Sequence, residues 1–183
     1  MGALALSHAV ADAAPSANLE APTQVNLDRK KTFKKSGHSL TAVAAFEIEA
    51  KILSKKEYRD GRESNIAPVD LALGWGAMAS EQLLSKLSVT QQGRFASISY
   101  SSDDVISRNE IIQNSSNMHM VPISRDVKKA LLSVKPGQVV QIKGYLVNIR
   151  HTDGWRWRTS TTRTDEGNGA CEIILVQSIE ISG

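Results

Sequence analysis

The chain has one cysteine in 183 residues, Cys171. No internal disulfide can form, and no cysteine-based zinc site exists. Cysteine usage therefore leaves the redox compartment open. Aromatic residues are few, at 5%, so each tryptophan weighs heavily in reading a core or a binding face. No apolar run approaches the ~18 consecutive residues of a membrane-spanning helix. There is no phosphate-loop pattern, no His-Glu-x-x-His and no Gly-x-Ser-x-Gly, the signatures of three common catalytic classes. Net charge is small too. Five basic residues (Arg29, Lys30, Lys31, Lys34, Lys35) face three acidic ones (Asp12, Glu20, Asp28) over residues 1–40, so +2 of the formal +3 lies there and only +1 remains for 41–183. A domain that binds by neutralising many phosphates is basic over a whole face, so this composition disfavours a dedicated nucleic-acid binder.

What is present, 41% apolar and 22% charged residues, is the composition of one globular domain with a proper core. Residues 1–14 resemble the second half of a secretory signal, with Ala-x-Ala at 9–11 and 11–13 but no basic n-region. Residues 14–40 lack sustained periodicity and read as a linker or extended arm, whose Lys30–Lys35 cluster is either solvated or placed on an anionic surface. The expected division is a signal-like, disordered arm over 1–40 and a single α+β domain over 41–183.

Within that domain Ala44, Phe46, Ile48, Ala50 and Ile52 alternate with polar positions, as in a half-buried strand. Trp75, flanked by Gly74 and Gly76, sits at a tight passage, as a core plug or as a stacking platform for a ligand. Ser80, Ser107 with Glu110, and Ser124 are helix-starting signals. Met118 and Met120 share one strand face and His119 takes the other. Thioethers beside imidazole suit copper(I), but a buried methionine pair is the simpler reading, and no metal ligand set or cofactor motif is complete. From Val139 onward the pattern is strand, with a bulge or sharp curl expected at Gly144. The fold class expected is a small curled, mostly antiparallel sheet or open barrel, OB-like in outline, with two or three short helices.

The most distinctive stretch is Asp153-Gly154-Trp155-Arg156-Trp157-Arg158-Thr159-Ser160. At a period of two, Trp155 and Trp157 share one side and Arg156 and Arg158 the other. With Arg163, these arginines offer planar guanidinium groups to carboxylates or phosphates. The plainer alternative turns the tryptophans inward and pairs the arginines with Asp153, Asp165 or Glu166. Together with Pro68 to Met78, Ser116 to Pro122, Gly144 to Val147 and Gly169 to Glu172, this stretch resembles a family of uncharacterised bacterial proteins over roughly residues 45–176. That resemblance implies no activity and assigns no residue a role.

For catalysis the candidate nucleophile is Cys171, which needs a histidine to form the thiolate and a carboxylate to orient that histidine. His119 or His151 with Asp153 or Asp70 are the available partners. The acidic neighbours Asp103 with Asp104 and Asp165 with Glu166 read as loop charges. The sequence thus points to an exported, periplasmic or secreted, non-enzymatic binding or protein-interaction module. Arg156, Arg158, Arg163 and Trp75 are its ligand-binding candidates. An envelope polymer or a protein is the expected partner, and nucleic acid is less favoured. The rival is a cytoplasmic or exported hydrolase or transferase using Cys171 with His119.

Overall fold

The computed structural model describes residues 19–101, 105–162 and 170–182. Arg163, the acidic pairs at 103–104 and 165–166, and the signal-like residues 1–14 lie outside them.

The alternation from Ala44 to Ile52 is the centre of strand β2 (His38–Glu57). Ala44, Phe46, Ile48, Ala50 and Ile52 all enter the main core, where burial of each larger side chain contributes ~1.5–3 kcal/mol. β2 runs well beyond that alternation and serves three antiparallel neighbours: β1 (Thr23–Lys35), β3 (Val69–Gly74) and β7 (Val139–His151). β3 pairs with β6 (Ser115–Pro122), β6 runs parallel to β9 (Glu172–Ile181), and β9 pairs with β7, which returns to β2. The sheet is therefore curled into a partly closed barrel. β8 (Arg156–Trp157) extends it by a short pairing with β7. β4 (Leu87–Gln92) and β5 (Phe95–Tyr100) make a separate hairpin between β3 and β6 in the chain.

Three short helices complete the described residues: α1 (Glu81–Leu84), α2 (Arg108–Asn114) and α3 (Arg125–Ser133). Each starts where a serine accepts a backbone N–H: Ser80 from Leu83, Ser107 from Glu110 and Ser124 from Val127. At α2 the Glu110 carboxylate also accepts the Ser107 N–H, completing the capping box. α3 places Leu131 fully in the core, with Val127 and Leu132 packed beside it. Strand still outweighs helix by more than the expected α+β balance, because β1, β3 and β4 add to the strands foreseen from periodicity.

The arm expected over 14–40 is a second difference. Leu19 is buried, and residues 23–35 are β1. Leu27 and Phe33 pack half-buried against a second apolar cluster on the outside of the barrel wall. Lys31 reaches the Tyr145 hydroxyl at 3.0 Å, and its ammonium lies 4.9 Å from the ring centroid. The lysine-rich run is thus a paired strand with mostly exposed side chains, not a tail.

The glycine signals fall where the backbone crowds. β7 shifts register against β9 at Lys143/Gly144, and a Cβ on Gly144 would lie 2.1 Å from the Leu175 carbonyl oxygen. Trp75 is 2% exposed in the main core, with its Nε1 unpartnered among the described residues. It offers no surface for a ligand to stack on, so it serves as the core plug.

Candidate functional site

The outer face of β3 and β6 carries a polar cluster. Asp70 and His119 are cross-strand partners on these strands. Their side chains point away from the barrel interior because Leu71, Met118 and Met120 point into it, as alternation requires. Asp70 is fully buried, and one oxygen, Oδ1, meets both Arg94 Nη1 at 2.8 Å and His119 Nδ1 at 3.0 Å. A buried carboxylate survives only with such partners.

Arg94 comes from the β4–β5 turn, where it holds a left-handed backbone (φ 74). Its guanidinium also donates to the Ala67 carbonyl at 2.9 Å and stacks 3.7 Å from the Tyr58 ring centroid. Burial, with the Asp70 charge beside it, pushes the Tyr58 phenol up to about 12. The same hairpin is tied to β6 by Asn117, whose Nδ2 donates to the Arg94 carbonyl and whose Oδ1 accepts from Gln91. Most of this constellation therefore holds the hairpin against the barrel.

Beside the hairpin a cavity of about 330 Å³ remains, lined by Arg94, Phe95, His119, Arg156, Arg158 and Cys171, with Trp157 and Glu63 at its walls. A second cavity of about 480 Å³ adjoins it, sharing Phe95 and Cys171 and running on between the hairpin, α2 and the buried Glu172. Ser116 hydrogen-bonds that carboxylate.

The Asp153–Ser160 stretch is only partly a strand. Trp155 and Trp157 do turn inward, half-buried against the outer cluster, with Trp157 stacked on His119 at 4.6 Å between ring centroids. Arg156 and Arg158 are exposed and make no ion pair among the described residues. Asp153 does not pair with them as the plainer alternative expects. It takes the Trp155 N–H at 2.9 Å, Arg62 Nη2 at 2.7 Å and His151 Nδ1 at 3.0 Å, and the Trp155 N–H foremost holds its carboxyl below the usual range.

Of the candidates read from sequence, Arg156, Arg158, Cys171 and His119 come together at one cavity, and Trp75 does not. The Asp70 carboxylate lies 3.0 Å from His119 Nδ1, but no hydrogen bond that would orient the ring joins them among the described residues. No hydrogen bond joins His119 to Cys171 among the described residues, and the sulfur instead lies 3.9 Å from Asn117 Nδ2 and from the Arg94 carbonyl. Arg94 and Phe95 were not legible as site residues. Their only signal was a Gly-Arg-Phe turn, and the partners of Arg94 lie more than twenty positions away. No protein-family profile, curated protein or solved structure matches the chain.

Proposed function

We propose that the chain is a non-enzymatic binding module of the OB architecture that takes an anionic group in the cleft beside the β4–β5 hairpin. The strand order β2-β3-β6-β9-β7, with α3 between β6 and β7, supports that architecture. In such barrels the second and third strands and the loops after the first and fourth form the binding surface. The cleft has the same address here: His119 from β6, Glu63 from the β2–β3 connection, and Arg156, Arg158 and Cys171 from the connection that follows β7. One observation carries the reading. Two arginines that make no ion pair among the described residues converge with an exposed aromatic ring, Phe95 at 43% exposure, on a concave surface. Guanidinium groups supply bidentate recognition of carboxylate or phosphate, and the ring supplies stacking.

The low charge of the body favours a ligand with few charges, so a segment of an envelope polymer or an acidic protein surface ranks above nucleic acid. Export fits that ligand class, with the Ala-x-Ala patterns near residues 9–13 as its support. N-terminal sequencing of the protein recovered from cells tests it, and an uncleaved cytoplasmic chain refutes it. For the cleft, the test is binding to envelope fractions and to a short oligonucleotide, parent against Arg156→Ala/Arg158→Ala. The double variant is expected to lose at least about tenfold in affinity, roughly 1.4 kcal/mol. Equal binding by both proteins sinks the reading.

The cysteine-enzyme alternative draws on one observation, that Cys171 and His119 line a common cavity with Asp70 behind the imidazole. It requires the ring to leave Trp157 and reach the sulfur. Rapid labelling of Cys171 by a thiolate-selective reagent at neutral pH, slowed by His119→Gln, would favour it over binding alone.

A further inference from the structure

A separate cavity of about 470 Å³ opens under the β1–β2 turn, lined by Ser36, His38, Arg62, Asn65 and His151. His38 and His151 are cross-strand partners at the ends of β2 and β7, and their ring centroids are 4.7 Å apart. His38 is 5% exposed. Its Nδ1 lies 2.8 Å from the Ser36 carbonyl oxygen. A carbonyl only accepts, so Nδ1 carries the proton and Nε2 of the neutral ring carries the lone pair. That Nε2 is buried and meets no donor. A basic nitrogen shut away without a partner is costly unless something fills the place.

His151 repeats the arrangement. Its Nδ1 lies 3.0 Å from Asp153 Oδ1, nearer than the 3.3 Å approach of the Asp153 amide. In the tautomer with the proton on Nδ1, the carboxylate accepts its hydrogen bond and the lone pair lies on Nε2; in the other, Nδ1 accepts the Asp153 N–H. This Nε2 faces the β1–β2 turn, 3.4 Å from where a Cβ on Gly37 would stand. At Gly37 the φ of +76 favours glycine. With His151 in the first tautomer, each imidazole presents Nδ1–H to an oxygen, His38 to a carbonyl and His151 to a carboxylate, and each carries its lone pair on Nε2. That is the state, with the supporting partners, in which histidine ligates metals.

The spacing agrees. A metal–nitrogen bond of ~2.0–2.1 Å puts an ion ~3.2 Å from each ring centroid, so centroids 4.7 Å apart subtend roughly 95° at it, between square and tetrahedral. Arg62 lines the same cavity, but its charge is met by Asp153 Oδ2 at 2.7 Å. We propose that His38 and His151 bind one divalent first-row transition metal through their Nε2 atoms. Among the described residues no set of three or more His, Cys, Asp or Glu side chains converges to hold a metal. Water and the Asn65 amide therefore complete the shell, and copper(II) binds tighter than nickel(II) or zinc(II).

The test is calorimetric titration of the chelator-stripped full chain with Cu(II), Ni(II) and Zn(II), in a Cys171→Ser background that removes the competing thiol. One equivalent is expected. His38→Gln and His151→Gln should each weaken binding at least about tenfold, and His8→Gln should not. Should a variant fail to fold, imidazole ¹⁵N spectra of the unmutated protein decide, because Zn(II) must shift Nε2 of His38 and His151 together. Undiminished binding in the folded His38→Gln variant, or spectra in which those two nitrogens do not move, overturns the proposal. So does an inorganic phosphate complex, held by Arg62, that Cu(II) fails to displace.

Discussion

Asp70 and Arg94 show how one buried charge dictates the residues around it. The carboxylate is sealed from water, with Oδ1 hydrogen-bonded by Arg94 and 3.0 Å from His119 Nδ1, while Tyr58 stands beside it with a phenol pushed up to about 12. That shift has a sign. The neutral phenol's contribution to stability is fully present below pH 10.0, the ordinary value, and is lost as pH rises through about 12. Spectrophotometric titration should therefore show a late tyrosine step at about pH 12, and Tyr58→Phe should remove that late step. A late step that persists in Tyr58→Phe would disprove the assignment. Of this, only the nearness of Asp70 to His119 was weighed from the sequence, as one of several possible pairings. Asp70 stands in an apolar run, Val69 to Leu73, and nothing local indicates that an arginine 24 positions on will meet it.

At the scale of elements, the β4–β5 hairpin depends on the same arginine. A non-glycine residue at φ 74 costs about 1 kcal/mol in strain, so the side chain must return more than that. In Arg94→Gly the strain disappears and the buried Asp70 loses its cation, a change typically costing ~3–5 kcal/mol. A net destabilisation of about 2–4 kcal/mol is expected, with faster amide exchange confined at first to residues 87–100. Uniform exchange throughout the chain would show that the hairpin is not a separately anchored unit. β2, β7 and the three helix starts were legible because alternation and capping are local signals. β1 was not. It is an edge strand whose register shifts between Asn26 and Lys31, and only Leu27 and Phe33 press on the barrel, so its sequence never settles into a period of two. β3 hid for the opposite reason, being buried on both faces, which erases alternation.

For the whole molecule, closure of the sheet depends on how closely β7 and β9 approach. Gly144→Ala would set a methyl 2.1 Å from a backbone oxygen on β9, where neither strand can yield without losing the register around it. The expected cost is about 3 kcal/mol, at the upper end for overpacking, read as a lower denaturation midpoint with unchanged slope. A variant as stable as the parent would mean that the strands separate there freely. The curled sheet was foreseeable from this glycine and the run of late strands. The convergence of Arg156, Arg158, Phe95 and Cys171 was not, because it depends on which loop ends meet once the ring has formed.

The ring order also sets the timetable of biogenesis. β2 pairs with β7 across about a hundred residues, Ala44 with Leu146, and β9, the last of the five strands to be synthesised, inserts between β6 and β7. Until the ribosome has released residues 172–181, β6 and β7 each expose a bare edge rich in valine, methionine and isoleucine, the kind of surface that recruits other chains. Distant pairings of this sort fold slowly. A nascent chain stalled before β9 should therefore be captured by holdase chaperones, and synthesis and release of residues 172–181 should free it.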